Sequence, residues 1–245
     1  MSTAPRCAEG GVPSPPASCD WGAVVGDLDG QGHVLTTVPL LDPEECRRLR
    51  EGFDDDQLFR ATVDMARFRF GLGTYRYFAN ELPPVVAALR ETAYPALATL
   101  ANDWAARRGD PQRYPDELGP FLDRCHAADQ PKPTPLILRY DQGGYNAMHQ
   151  DIYGEVVFPF QLTVALSEPG TDFTGGENLF VEQRPRAQSR GTAVTVPLGH
   201  AVIFPTRHRV VLGAKGPSRS IIRHGVSTVT SGRRFSLGII FHDAA

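Results

Sequence analysis

Residues 223–237 read Arg223-His224-Gly225-Val226-Ser227-Thr228-Val229-Thr230-Ser231-Gly232-Arg233-Arg234-Phe235-Ser236-Leu237. β-Branched and apolar residues flank Ser231-Gly232, a pair that suits a turn, so a strand, a turn and a returning strand are expected. Three positions on it carry chemistry. His224 can ligate a metal. Arg234, ten residues later, is expected on the adjacent antiparallel strand facing the same interior, with Ser236 two positions further on. The planar guanidinium can give a carboxylate two parallel hydrogen bonds, and Ser236 adds a neutral donor.

The surrounding sequence has the same character. From Pro135 onward, short β-branched and aromatic runs recur between Gly and Pro signals: Leu136–Tyr140, Val156–Leu166, Asn178–Val181, Ala193–Val196, Ala201–Phe204, Ser220–Val226 and Phe235–Phe241. Many short, evenly spaced strands without an internal repeat predict a sandwich or jelly roll. The first half reads differently. Asp42-Pro43-Glu44-Glu45 carries a cap, a proline at the first helical position and a capping-box glutamate, with Leu41 placed to staple onto Cys46. A longer helical pattern spans about 84–108, with Pro95 predicting a kink or two shorter helices and Gly109 a stop. Residues 60–78 are aromatic and Arg-rich, with β-like alternation. The expected class is α+β: a double-stranded β-helix (jelly-roll) barrel with an N-terminal helical layer. Residues 1–20, rich in Pro, Ser, Gly and Ala, are expected to be a disordered tail. Residues 21–245 are expected to form a single domain, with 21–130 as mainly helical support and 131–245 as the catalytic core.

Composition narrows the function classes. Apolar and charged fractions of 41% and 22% fit a soluble globular protein, and no 18-residue apolar run marks a membrane span. No apolar N-terminal stretch reads as a secretory signal. Cys7, Cys19, Cys46 and Cys125 show no CxxC spacing, a pattern expected of free thiols in a reducing cytoplasm. The net charge of −3 is uneven: residues 1–130 sum to −7 and 131–245 to +4. A basic second half suits an anionic ligand or is a solvated surface with an Arg bias; it is too modest to announce nucleic acid.

Upstream of the opening stretch lies Met148-His149-Gln150-Asp151. Strand residues two apart share a face, so His149 and Asp151 can reach one metal. His224 would complete the two-His-one-carboxylate set of non-haem iron(II) oxygenases. Such a set leaves positions for two oxygens of 2-oxoglutarate and for O₂. An HxD pair alone is weak in a chain with seven histidines; a His 75 residues on, followed by R-x-S, makes the combination specific. His208 is the alternative second histidine, but it lacks the downstream R-x-S. His242 reads as structural, and His33, His126 and His200 as loop residues. Gly175-Gly176 suits a turn or bulge, and Glu177 a turn. Tyr153 is either packing or a substrate contact. Glu182, Arg184 and Arg186 either line the barrel mouth or form a solvated loop.

These stretches resemble the iron(II)/2-oxoglutarate-dependent oxygenase superfamily, and more narrowly a bacterial family described as acting in oxidative demethylation of damaged nucleic-acid bases. The resemblance rests on Leu138-Arg139-Tyr140, His149-Gln150-Asp151-Ile152-Tyr153-Gly154, Phe158-Pro159-Phe160-Gln161, Phe173-Thr174-Gly175-Gly176-Glu177, Glu182-Gln183-Arg184-Pro185-Arg186, Arg223-His224-Gly225-Val226 and Gly238-Ile239-Ile240-Phe241-His242-Asp243. It implies iron(II) held by His149, Asp151 and His224, 2-oxoglutarate anchored by Arg234, a further contact from Tyr140, and O₂ as oxidant. The sequence departs from AlkB-type demethylases in having Ile240 six residues after Arg234, where those have a second arginine, and Leu138 where they have Asn.

The implied reaction is C–H hydroxylation coupled to decarboxylation of 2-oxoglutarate, releasing formaldehyde when the carbon sits on nitrogen. HxD keeps its carboxylate, which argues against halogenation. Three readings of the organic substrate follow. An alkylated nucleobase agrees with the resemblance, with Arg67, Arg69, Arg76 and Tyr77 as substrate-side residues. An amino acid, peptide or small natural product agrees with the acidic chain. A non-catalytic metal-binding jelly roll is the third. Nucleic acid is therefore a candidate partner, a membrane is not, and oligomeric state stays open.

Overall fold

A computed structural model describes residues 19–152, 154–213 and 216–245. Most of the expected tail, with Cys7, and Tyr153 lie outside these residues. The chain opens with α1 (Trp21–Gln31), β1 (Val34–Leu35), α2 (Pro43–Glu51), β2 (Phe59–Asp64), β3 (Gly71–Leu72) and β4 (Thr74–Phe78). Two helices follow, α3 (Pro84–Arg107) and α4 (Leu118–Ala127). The remainder is β5 (Leu136–Asp141), β6 (Tyr145–His149), β7 (Phe160–Ala165), β8 (Phe173–Gly175), β9 (Asn178–Gln183) and β10 (Arg190–Val194). It ends with β11 (Ala201–Pro205), β12 (His208–Gly213), β13 (Gly216–Val226) and β14 (Val229–Ile240). No helix among the described residues is long and apolar enough to cross a membrane. Cys19, Cys46 and Cys125 are free thiols.

Two antiparallel sheets face each other. One runs β1-β11-β7-β14-β5-β4-β2 with β8 added on β14; the other runs β10-β9-β13-β6-β3 with β12 added on β13. The first sheet is two-faced, because side chains alternate along a strand. Phe160, Leu162 and Val164 of β7, with Leu237 and Ile239 of β14, share one core with Leu89, Ala93, Leu97 and Ala101 of α3. Trp104 packs on Phe160 with ring centroids 4.8 Å apart. Each such Leu or Phe contributes about 1.5–3 kcal/mol of burial. The intervening residues, Gln161 and Thr163 on β7 and Arg234, Ser236 and Gly238 on β14, turn to the space between the sheets. The helices cover one face of the sheet and leave the other free to build a site.

Local signals explain the helices. Asp42 accepts from the Glu45 amide and Glu45 returns a bond to the Asp42 amide, the capping box expected for α2. α3 stays one 24-residue helix through Pro95 rather than the two shorter helices that were one of the two expectations. Pro95 and Glu91, whose carbonyl loses its partner, both lie on the exposed face, so solvent satisfies that carbonyl. Gly109, at φ +66°, follows the end of α3 as expected. α1 was not expected: Gly22, Gly26 and Gly30 dilute its pattern, and only Val24 and Leu28 are buried on it. Asp20, assigned to the tail, caps α1 by accepting from the Ala23 amide at 3.0 Å. The 21–130 support also supplies β1, β2 and β4 to the first sheet.

The opening stretch folds differently from the expectation in one respect. β13 ends at Val226 and β14 begins at Val229, so the reversal falls at Ser227-Thr228, not at Ser231-Gly232. β13 and β14 lie in opposite sheets rather than side by side. Gly232, at φ +73°, marks where β14 passes from β8 to β5, and a Cβ there would meet the Asp172 carbonyl at 2.1 Å. The glycine signal was real, but it serves a bend within a strand.

Candidate active site

Between the sheets lies a cavity of about 430 Å³. β6 and β13 form one wall. His149 is the last residue of β6 and the direct register partner of His224 on β13. The strand stops there, so Asp151 does not share a strand face with His149, as the HxD spacing predicts. Instead the chain leaving β6 carries its carboxylate between the two imidazoles. Asp151 Oδ1 lies 3.4 Å from His149 Nε2 and Oδ2 lies 3.1 Å from His224 Nε2. The donor atoms of all three residues fall within 4.8 Å of one another.

The donor set fits a divalent iron. His149 Nδ1 donates to the Ala147 carbonyl at 2.7 Å, because a carbonyl can only accept, and this leaves the Nε2 lone pair for a metal. His224 Nδ1 is buried without a hydrogen-bond partner, and Gln161 Nε2 is 3.4 Å from its Nε2. Burial opposes ionisation of Asp151, yet the imidazoles of His149 and His224 hold its carboxyl well below the usual carboxylate range while their Nε2 atoms carry protons, which a bound metal would displace. Two imidazoles and one carboxylate suit imidazole-binding metals that keep open positions, as in the facial triad.

The opposite wall belongs to the eight-stranded sheet. Arg234 on β14 is 3% exposed and faces Tyr140 across the β14–β5 pairing. Its Nη1 donates to Ser236 Oγ at 3.0 Å and its Nη2 to Asn178 Oδ1 at 3.3 Å. The guanidinium carbon sits 5.5 Å from the Tyr140 ring centre. Among the described residues no carboxylate makes a salt bridge with Arg234, although the charge of Glu177 is near enough to act on it. A buried guanidinium is costly unless an anion completes it, so this position fits the distal carboxylate of a dicarboxylate. The Tyr140 hydroxyl is buried with Asn146 as a polar neighbour but no hydrogen bond of ordinary geometry. Arg233 turns outward to Asp141 at 2.5 Å, as alternation predicts. His149, Asp151, His224, Arg234, Ser236 and Tyr140 thus all line one cavity.

The other candidates separate. His208 begins β12 and borders a different concavity, away from the three donors. His242 is fully buried and accepts from the Phe158 amide at 3.3 Å, a structural position. His126 pairs with Asp243, which also holds buried Arg90 at 2.7 Å. Glu182 serves Arg184 and Arg209 outside the cavity. Glu177 bonds Ser227 beside the Gly175-Gly176 turn, where both glycines have positive φ. Arg76, expected on the substrate side, points the other way, to the Phe53 carbonyl and Asp56, because Tyr75 and Tyr77 hold the cavity face of β4. Arg69 and Phe70 reach the cavity. Asn178 and Gln161 were missed as site residues. Their signal was a polar residue at an inward position of an apolar strand.

Comparison with known proteins agrees with this geometry. Residues 73–244 match the Oxygenase-NA family model, described as "Oxygenase, catalysing oxidative methylation of damaged DNA". Two uncharacterized proteins from two strains of Mycobacterium tuberculosis are each 48% identical over 182 residues, covering 72% of this chain and 78% of theirs. Among solved structures, a Pseudomonas putida prolyl-4-hydroxylase superposes with a TM-score of 0.51 at 16% identity, over 91% of this chain and 98% of that one. An oxidoreductase of the 2OG-Fe(II) oxygenase family from Burkholderia pseudomallei gives 0.52 at 18% identity, over 98% and 96%. At these identities the two structures speak for a shared jelly-roll fold.

Proposed function

The chain belongs to the Oxygenase-NA family, and on that premise we propose that it hydroxylates a C–H bond with iron(II) held by His149, Asp151 and His224 and 2-oxoglutarate held by Arg234, Ser236 and Tyr140. The observation that carries the reading is the pairing of two features across one cavity: three metal-type donors within 4.8 Å of one another and a buried guanidinium without a salt-bridged carboxylate. Bound iron(II) with 2-oxoglutarate and O₂ supplies C–H oxidation coupled to release of succinate and CO₂.

The chain's own residues do the positioning. The Ala147 carbonyl fixes the His149 tautomer and ring plane. Asp151 stays ionised between the two imidazoles, so a carboxylate is always present in the donor set. Ser236 and Asn178 hold the Arg234 fork in one plane, ready for two parallel bonds to a carboxylate. Phe204, 4.7 Å from the His224 ring, and Phe180 make that side dry. The cavity is of a size that takes a ligand larger than 2-oxoglutarate, which leaves room for a substrate group.

The substrate proposed is an alkylated nucleobase, delivered flipped or single-stranded. The family description supports it, and so does the cavity mouth. There Phe68 and Phe70, 55% and 46% exposed, stack with centroids 5.6 Å apart beside Arg67 and Arg69. Exposed aromatics interleaved with arginine suit bases and phosphates. Formaldehyde and succinate release from N-methylated single-stranded oligonucleotides tests the reading, with a panel of amino acids, peptides and small metabolites alongside. Turnover of the panel without any of the strands would sink it. The net charge of −3 and Ile240 favour that second reading, a small-molecule hydroxylase.

A further inference from the structure

A second concavity, of about 260 Å³, lies between the C-terminal end of α3 and the β12–β13 hairpin. It shares no wall residue with the active cavity, although Ile152, next to Asp151, borders it. Its floor is apolar, with Trp104, Val157 and Val210. Its rim is cationic: Arg108, Arg207, His208 and Arg219 converge on it, and Arg107 joins Arg108 and Arg219 in the open groove alongside.

The charges there are not balanced from within the chain. Asp110 is the one carboxylate among the lining residues, and it serves Arg108 at 3.2 Å. Arg209 is committed to the Gly30 carbonyl at 2.8 Å, with Glu182 at 3.8 Å. Arg207 and Arg219 are exposed and have no carboxylate partner among the described residues. His208 Nδ1 is buried without a hydrogen-bond partner. Burial, and then the nearby charges of Arg207 and Arg108, push the His208 imidazole below its usual range. A buried ring nitrogen without a partner is unfavourable, and like charges gathered around it make it more so. A tetrahedral oxyanion in the concavity would balance the gathered positive charge, and the accessible side of the His208 ring borders the space it would take.

We propose that this concavity binds a phosphate group, with Arg207, Arg219 and Arg108 as guanidinium donors and the His208 ring as a further hydrogen-bonding partner. Several planar forks at different angles suit an anion with oxygens in several directions better than a single carboxylate. The phosphate has two sources. It can belong to a nucleic-acid strand whose alkylated base enters the active cavity past Ile152, in which case it deepens the function proposed above. It can equally belong to a free phosphate or phosphate ester, and the site then stands apart from that function.

The test uses the full chain. Histidine Cε1–H signals are followed by NMR while sodium phosphate is added, against sodium chloride at matched ionic strength. The His208 signal is identified by its loss in His208→Gln. A saturable phosphate-specific shift of His208 is expected, weakened about tenfold or more in the Arg207→Gln/Arg219→Gln double variant, while His242 does not move. Fluorescence anisotropy with a methylated single strand is then measured across salt. If a strand phosphate fills the site, the double variant lowers the slope of log affinity against log salt by about 0.7, the value for one lost phosphate contact on a single strand. A His208 shift with an unchanged slope assigns the site to free phosphate or its esters. Absence of a saturable His208 shift overturns the proposal whatever the slope. Formaldehyde release from methylated strands is read separately, so loss of the nucleobase reading leaves the phosphate result standing.

Discussion

His149 and His224 are direct cross-strand partners on β6 and β13, with ring centroids 4.2 Å apart and the Asp151 carboxylate reaching both Nε2 atoms. Residues 75 apart in sequence are thereby fixed by a backbone ladder, so the donor geometry is set by the sheet rather than by loop conformation. Only the carboxylate comes from outside a strand.

Removing any one of the three donors should abolish tight iron(II) binding. Partners behind the ligands typically cost roughly 10- to 100-fold in affinity, and loss of a ligand itself should exceed that. His149→Ala, Asp151→Ala and His224→Ala are expected to lose the metal in equilibrium dialysis, while His208→Ala retains it. Retention by His224→Ala together with loss by His208→Ala would overturn the assignment.

Arg234→Ala should raise the apparent KM for 2-oxoglutarate while iron(II) binding is kept. Truncating one side of a buried charged pair costs about 2–4 kcal/mol, or roughly 30- to 1000-fold. Arg233→Ala breaks only the exposed pair with Asp141, an effect of about 0–1 kcal/mol with no change in KM. Equal losses in the two variants would contradict the outward turn of Arg233.

Much of this was legible because strand alternation maps directly onto chemistry. His149, the distal His224 and the R-x-S each identified an inward strand position, whereas Asp151 reaches the cavity from beyond the end of β6; the capping box at Asp42 placed the start of α2 to the residue. What the sequence could not convey was pairing. Nothing in residues 223–237 says that the two halves of that stretch part into opposite sheets, because strand partners are chosen by long-range packing. Arg76 was misjudged for a related reason: an arginine among tyrosines looks exposed until alternation is anchored by knowing which face carries the core. α1 was missed because its glycines erase periodicity and only two side chains carry its burial.

Substitution at the cavity mouth should separate the substrate readings. Base stacking on an aromatic contributes about 1–3 kcal/mol. Phe70→Ala is expected to weaken binding of methylated single strands roughly 5- to 150-fold in anisotropy while the KM for 2-oxoglutarate is unchanged. Unaltered strand binding in both Phe68→Ala and Phe70→Ala would leave no role for the exposed stack in nucleobase capture.

The capping box makes a prediction about stability alone. Asp42→Ala removes the acceptor for the Glu45 amide at 2.7 Å and should cost about 1 kcal/mol in urea unfolding. Iron(II) affinity should not change, because α2 lies outside the cavity walls. A loss of metal binding at unchanged stability would contradict that separation.

His242 should make stability fall with acid. It is fully buried, its Nδ1 accepts from the Phe158 amide, and burial pushes its pKa from 6.5 down to about 4. Protonation of Nδ1 in the folded state would forfeit that bond and place an unpaired charge in the core. The unfolded chain therefore binds more protons between pH 6.5 and 4, and stability rises with pH across that window. The contribution is fully present above pH 6.5 and is lost as pH falls towards 4, with a magnitude of about 3 kcal/mol from the shift of the two values. Chemical denaturation at pH 7, 6, 5 and 4.5 measures it. His242→Gln should lower stability at pH 7 but flatten the pH dependence over this range; a variant with the same slope as the parent would assign the acid sensitivity to other groups.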